Sequence, residues 1–477
     1  MRQHVNITKA VFFAEWRSVL RNRVALTAGL LMLALTLAAS LVSFEQMQAV
    51  SRERAALQQT SDTQWDNQPA RHPHRVVHYG HYVFKPLGPL AFFDFGVDPY
   101  AGHTLYLEGH RQNSANFSAA SQSSVLLRFG QLTPAFVLQV LTPLLIVFIA
   151  FSSVAREREQ GQLRLLMSQG APGSAVVAGK LVAHGTVALL CAAPAFLALV
   201  AIGVHQPAYG VHAALVALGY AAYLVLWSGL AVLVSAVSAR SRNALLTLVV
   251  VWIGTVVVMP RLMADVAARS IERPTRIEAE GAIAKQLAAL GDSHNPNDPH
   301  FAAFRANVLA RFKVSRVEDL PVNYGGLLIA EGERLTSGLF EQTMREDFAR
   351  QDRQAGMVNA AAIISPVLAL RRLSTTLAVT DGASHAHFLL EAERYRYALI
   401  QALNKLHTEK VAFHNDRDQR LDSTHWKQMP RFDWQPDDMA TLVQRGVTPA
   451  VLVLALWIVL LGAAALLVAR KLERSVA

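Results

Sequence analysis

Residues 133–170 read TPAFVLQVLTPLLIVFIAFSSVAREREQGQLRLLMSQG. A long apolar run from Thr133 to Val154 is followed at once by Arg156, Glu157, Arg158 and Glu159, and then by Leu163, Leu166 and Met167 at helical spacing. About 20 apolar helical residues cross a hydrocarbon core of about 30 Å. The run therefore predicts a membrane-spanning helix, and the charges mark its end. Five further stretches have the same length and polarity: 24–44, 175–204, 211–237, 244–260 and 447–469. The expected fold class is a mainly α membrane protein with six transmembrane helices. Its large, mostly helical extracytoplasmic domain is expected to be built from two insertions, 45–132 and 261–446.

Composition agrees. Of 477 residues, 52% are hydrophobic and 17% charged, against about 25% charged in ordinary soluble domains. A mean hydropathy of +0.26 excludes a disordered chain. The single cysteine, Cys191, excludes an intrachain disulfide and a four-cysteine zinc site. The run 24–44 is too long for the apolar core of a signal peptide, about 7–15 residues, and is read as an uncleaved first span.

Orientation follows from Lys and Arg near the span ends. Arg2, Lys9, Arg17, Arg21 and Arg23 precede the first span. Arg156, Arg158, Arg164 and Lys180 are assigned to the connection between the second and third spans, Arg240 and Arg242 lie between the fourth and fifth spans, and Arg470, Lys471 and Arg474 follow the last. All fall on one side of a six-span chain, so residues 1–23 and the tail 470–477 are expected to be cytoplasmic. That side holds 14 basic and 4 acidic residues, whereas each insertion is neutral, with 7 of each sign in 45–132 and 24 of each in 261–446. The net charge of +10 is thus a topology signal, and no nucleic-acid partner is needed to explain it.

In the first insertion, 45–59 reads as a continuation of the first span. Tyr79, Tyr82, Val83 and Phe84 suggest short strands or packed loops, and 114–124 a surface turn. In the second, helices are predicted over 277–290, 301–312, 327–357, 359–378 and 386–408, with a loop at 291–299 and a charged, exposed stretch at 416–422. The apolar run 360–370 is too short for a span, contains Pro366 and meets Arg371 and Arg372. It is read as a buried or interfacial helix of the external domain.

Three patterns raise chemistry. His72, His74, His78 and His81 could ligate a metal, but His74 and His78 share a face only on a helix, which Pro73 and Gly80 oppose; structural packing is the favoured reading. Gly173 to Lys180 resembles a phosphate loop, yet five residues separate Gly173 from Gly179 and Leu181 stands where Ser or Thr would bind magnesium. No Asp or Glu lies in the core of a predicted span, and Lys180 is read as reaching the cytoplasmic surface. The lack of such groups argues against an ion-coupled carrier. The segment after the second span, with an apolar face behind alternating charges, is expected to seek a partner groove. Residues 7–20, with Val11, Phe12, Trp16 and Leu20 against Lys9, Glu15 and Arg17, predict an amphipathic helix along the membrane surface.

Taken together, the amphipathic first helix, six spans and the stretch Glu157-Arg-Glu-x-Gly161-x-Leu163-Arg164-x-Leu166-x-Ser168 resemble the permease subunits of ABC-2 type transporters. The long insertions resemble one subgroup with large periplasmic domains, through 73–86, 107–113, Pro260-Arg261, 320–324 and 365–371. The resemblance implies that 155–174 forms a coupling helix docking on a separate ATPase subunit, with Glu157, Arg158, Glu159, Gly161, Leu163, Arg164 and Leu166 as contact residues. It further implies two ATPase copies holding ATP and magnesium, a second permease chain, identical or similar, and export across a bacterial inner membrane. This chain would then be no enzyme and carry no cofactor. The alternative expectation is a membrane-anchored extracytoplasmic receptor or assembly scaffold without transport.

Overall fold

The computed structural model describes residues 2–118, 131–293, 295 and 297–474. Part of the turn expected at 114–124 lies outside them. Among the described residues six helices are long and apolar enough to cross a membrane: Arg23–Asp66, Pro134–Glu159, Gly173–His205, Pro207–Val237, Ser241–Ser270 and Met439–Arg474. The protein is a helical membrane protein. Its first span continues to Asp66, seven residues beyond the expected continuation, so the helix stands far out of a bilayer core.

Helix α1 (Arg2–Arg21) precedes the first span. Asn22 separates the two: it is extended, and its side chain accepts from the amides of Val24 and Ala25 as an N-cap. Helix α1 packs against the third span rather than lying apart from it. A Cβ on Gly179 would stand 2.8 Å from the Thr8 carbonyl and from Val11, so glycine permits the close approach. The Gly173 amide donates to Glu473 at 2.8 Å. Both chain ends therefore sit at one end of the bundle.

At the opposite end the two insertions share a core. Helix α2 (Pro73–Tyr79) leads into an antiparallel pair, β1 (His81–Phe84) and β2 (Thr104–Leu107), with Val83 opposite Leu105. The helix corrects the sequence reading. Pro73 occupies the first turn, where its missing N–H costs nothing, and Gly80 ends the helix at φ 71. These two residues bound a short helix instead of forbidding it. Trp65 of the first insertion donates to the Trp426 carbonyl of the second at 3.2 Å, inside a cluster with Val76, Val77, Leu399, Leu403 and Leu421.

At the foot of the spans lie the short helices α3 (Ala155–Glu159) and α4 (Gln162–Ser168). The second insertion supplies α5 (Arg276–Leu290), begun by a Thr275–Glu278 capping box, and α6 (Pro299–Phe312), capped by Asp298. Helices α7 (Tyr324–Ala360), α8 (Pro366–Ala378) and α9 (Gly382–Lys410) complete it. The helix expected over 359–378 is broken, because Ser365 before Pro366 is driven to extended backbone (φ −121, ψ 94). The stretch 416–422 is not simply exposed: Asp416 accepts from Asn323 at 2.6 Å and pairs with His407 at 2.6 Å, and Leu421 is buried.

Three spans depart from α-helical winding through π turns, at Val137–Leu141, Ile253–Val258 and Val443–Val447. All three lie toward the end that carries the insertions, where α8 is buried among the spans. Single π turns recur at functional positions in helices.

Candidate functional site

The loop between the second and third spans forms an elbow. Helix α3 ends at Gln160, Gly161 takes a left-handed conformation (φ 72), and α4 leaves in a new direction. Nothing lies within 4 Å of a Cβ placed on Gly161, so backbone conformation alone favours glycine here.

The elbow is braced on four sides. Val154 and Ala155 donate their amides to Ser235 Oγ at 3.1 Å. Arg158 donates to the carbonyls of Ala236 and Ser238 at the end of the fourth span. Glu159 accepts from the Ser241 amide at 2.8 Å and its hydroxyl at 3.0 Å, which ties it to the start of the fifth. Glu157 accepts from Lys180 of the third span at 2.8 Å, and the same ammonium donates to Glu15 of α1 at 2.7 Å and to the Ser153 carbonyl at 2.7 Å. His184 pairs with the other Glu15 oxygen at 3.0 Å. Burial pushes the Glu15 carboxyl up, but the His184 hydrogen bond and the Lys180 charge outweigh it and carry it down to about 2.

Two expectations change as a result. Lys180 does not reach the surface; its side chain is buried and held by two carboxylates. The apolar face of α4 does not await a partner groove either. Leu163 is 4% exposed and packs with Val154, Val177, Val232 and Leu472, with Met167 and the sixth span alongside. Of the seven residues expected to touch a partner, Glu157, Arg158, Glu159 and Leu163 commit their side chains within this chain. Leu166 is half-buried, while Gly161 and Arg164 face outward. Leu165, which is not among the seven, is 61% exposed. Replacing Lys180 with Met should leave Glu15 and Glu157 partly buried without their cation, at a cost of about 3 kcal/mol. The expected result is faster amide hydrogen exchange throughout α1 with the spans unchanged; unchanged α1 protection would show that the network holds nothing.

A second polar site lies at the other end, where the sequence places no Asp or Glu in the span cores. Arg371 of α8 donates to Gln139 Oε1 in the first π turn at 3.0 Å. Gln139 Nε2 donates to the Tyr220 hydroxyl at 2.6 Å, and that hydroxyl donates to Ser374 at 3.1 Å. Ser365 Oγ donates to the Thr255 carbonyl in the second π turn at 2.5 Å, and Arg372 to the Arg445 carbonyl in the third. Helix α8 and its N-cap residue Ser365 thus hold all three π turns. Beside it a cavity of about 970 Å³ is lined by Arg273, Arg371, Arg372, Asp381 and Arg445. Gln139 within an apolar run and Arg371 at the end of one were the only sequence signs of this arrangement.

Among the described residues two groups containing histidine have metal-ligand spacing. His72, His407 and Asp416 form one, and His74, His78 and His110 the other. His81 belongs to neither and pairs with Asp62 at 2.8 Å. In the second group burial, with the neighbouring rings of His78 and His110, pushes His74 down to about 4.

Residues 276–435 match the family model described as "Domain of unknown function (DUF3526)". The match covers α5 to α9 and the segment that follows, including the α8 clamp, and leaves out the elbow and all six spans. No curated protein and no solved structure matches the chain.

Proposed function

We propose that this chain is the permease subunit of an ATP-driven exporter of ABC-2 type. The observation that carries the reading is the braced elbow. A force applied to α3–α4 is transmitted through Glu157, Arg158 and Glu159 to α1 and to the third, fourth and fifth spans, so the loop cannot move alone. A lever of that kind suits a protein whose driving energy is supplied by a separate ATPase. In this reading Gly161, Arg164 and Leu165 meet the ATPase, while Leu163 and the acidic residues hold the lever's shape. Two ATPase copies bind ATP and magnesium, a second permease chain completes the pathway, and both termini lie in the cytoplasm of a bacterium with the insertions beyond its inner membrane. At the far end, opening requires α8 to shift against the three π turns.

Purification of the tagged chain from native membranes in mild detergent, with mass spectrometry of the bound proteins, tests this. An ATPase of ABC type should remain bound in stoichiometric amount. Its absence under conditions that keep other membrane complexes intact would favour the receptor or scaffold reading instead.

A further inference from the structure

The geometry points to a transition-metal site, which we propose is filled by Zn²⁺, formed by His74, His78 and His110. His74 and His78 are one turn apart on α2, and their Nε2 atoms face each other at 3.3 Å. Zinc bound to imidazole nitrogens at about 2.0–2.1 Å in tetrahedral geometry sets neighbouring nitrogens about 3.3 Å apart. His110 brings a third ring, its centroid 5.5 Å from that of His74 and 5.3 Å from that of His78. One nitrogen from each ring lies within 4.8 Å of the others. The donor set is all imidazole, with the lone thiol, Cys191, in a span; three imidazole nitrogens suit Zn²⁺.

The backbone delivers these rings independently of their own contacts. The Gly109 amide donates to the Val77 carbonyl at 3.1 Å, and a Cβ on Gly109 would lie 2.0 Å from Val77 Cγ1. The turn after β2 is thereby pressed onto α2. The next residue, His110, adopts φ 62, a left-handed conformation that is uncommon outside glycine and recurs where ligands are clamped. Behind His110 stands Glu333 of α7, its Oε2 3.2 Å from the ring Nδ1 and 3.0 Å from the His110 amide. A carboxylate on one ring nitrogen fixes ring and tautomer and leaves the other nitrogen for a metal. The ion would tie α2 to the turn after β2, and through Glu333 to the second insertion. The other histidine group lacks this freedom, because the same Asp416 oxygen already serves His407 and Asn323.

The test uses the full chain in detergent, purified through a tag without histidine, stripped with EDTA and titrated with Zn²⁺ against a chromophoric chelator. One Zn²⁺ per chain is expected, with a higher melting temperature on binding. H78Q changes an exposed side chain and should fold normally. It and H110Q should each weaken binding by about tenfold or more and lose the thermal shift, while H300Q, on α6, binds as the native chain. Native-like binding by H78Q and H110Q, or no uptake by the native chain at micromolar Zn²⁺, overturns the proposal and leaves a hydrogen-bonded histidine pair. Neither outcome bears on the transporter reading.

Discussion

Arg396→Met is expected to lower the melting temperature of the insertion domain by about 10 °C or more. The Arg396 side chain is 1% exposed and is clasped by Glu333 (0%) at 2.6 Å and Glu393 (5%) at 2.7 Å. It also donates to Ser337 at 2.7 Å and to the Glu108 carbonyl at 3.0 Å, so it joins α7, α9 and the turn after β2. Burial pushes the Glu333 carboxyl up, yet the His110 hydrogen bond and the Arg396 charge carry it down to about 2. Removing the cation strands two buried carboxylates, which costs about 3–5 kcal/mol. The pH dependence gives an independent check. Burial already holds the Glu393 carboxyl above its unfolded value, and loss of Arg396 removes the cation that opposes this; such a group contributes stability that is full below the unfolded value and lost as pH rises through the folded one. The deficit of the variant should therefore shrink as pH falls toward the ordinary carboxylate range. Arg394→Ala, which breaks only the exposed pair with Glu391, should cost less than about 1 kcal/mol. Equal melting shifts for the two variants would show that Arg396 closes nothing.

The spans were legible because a bilayer imposes a length and a polarity that soluble packing does not. The apolar face of α4 was legible too, but its direction was not: Leu163 and Met167 suit a partner groove and the chain's own spans equally well. Lys180 was misread because its partners are distant in sequence; Glu15 lies on another helix and Glu157 beyond a turn. At α2, Pro73 and Gly80 were weighed as helix breakers when their positions made them helix boundaries. His110 and Glu333 could not be joined to His74 from spacing, since that contact exists only once the turn after β2 is pressed against α2 and α7 lies behind it. The run 360–370 showed its burial but not its setting, because nothing local records that α8 sits among three π turns.

If the chain is an ABC-2 type permease, Arg164→Glu combined with Leu165→Asp should abolish retention of an ATPase subunit while leaving the chain folded and inserted. Both side chains point away from the protein, and Leu165 is 61% exposed. An exposed apolar residue beside an exposed cation at the tip of a braced lever has the character of an interface anchor with a charged rim. Reversing the charge and placing a carboxylate where an apolar anchor docks should weaken association by a hundredfold or more, about 3 kcal/mol. Leu163→Ala is the informative contrast. That side chain is 4% exposed within the elbow's own core, so its truncation should cost about 2–5 kcal/mol of local stability. It would reduce retention of the ATPase only by loosening the lever, with a lower melting temperature as the sign. The two variants therefore separate contact from support. If the double variant keeps its ATPase in full and instead changes how the chain partitions between lipid and detergent, α4 is a surface helix resting on lipid. The proposal that α4 couples this chain to an ATPase would then fail.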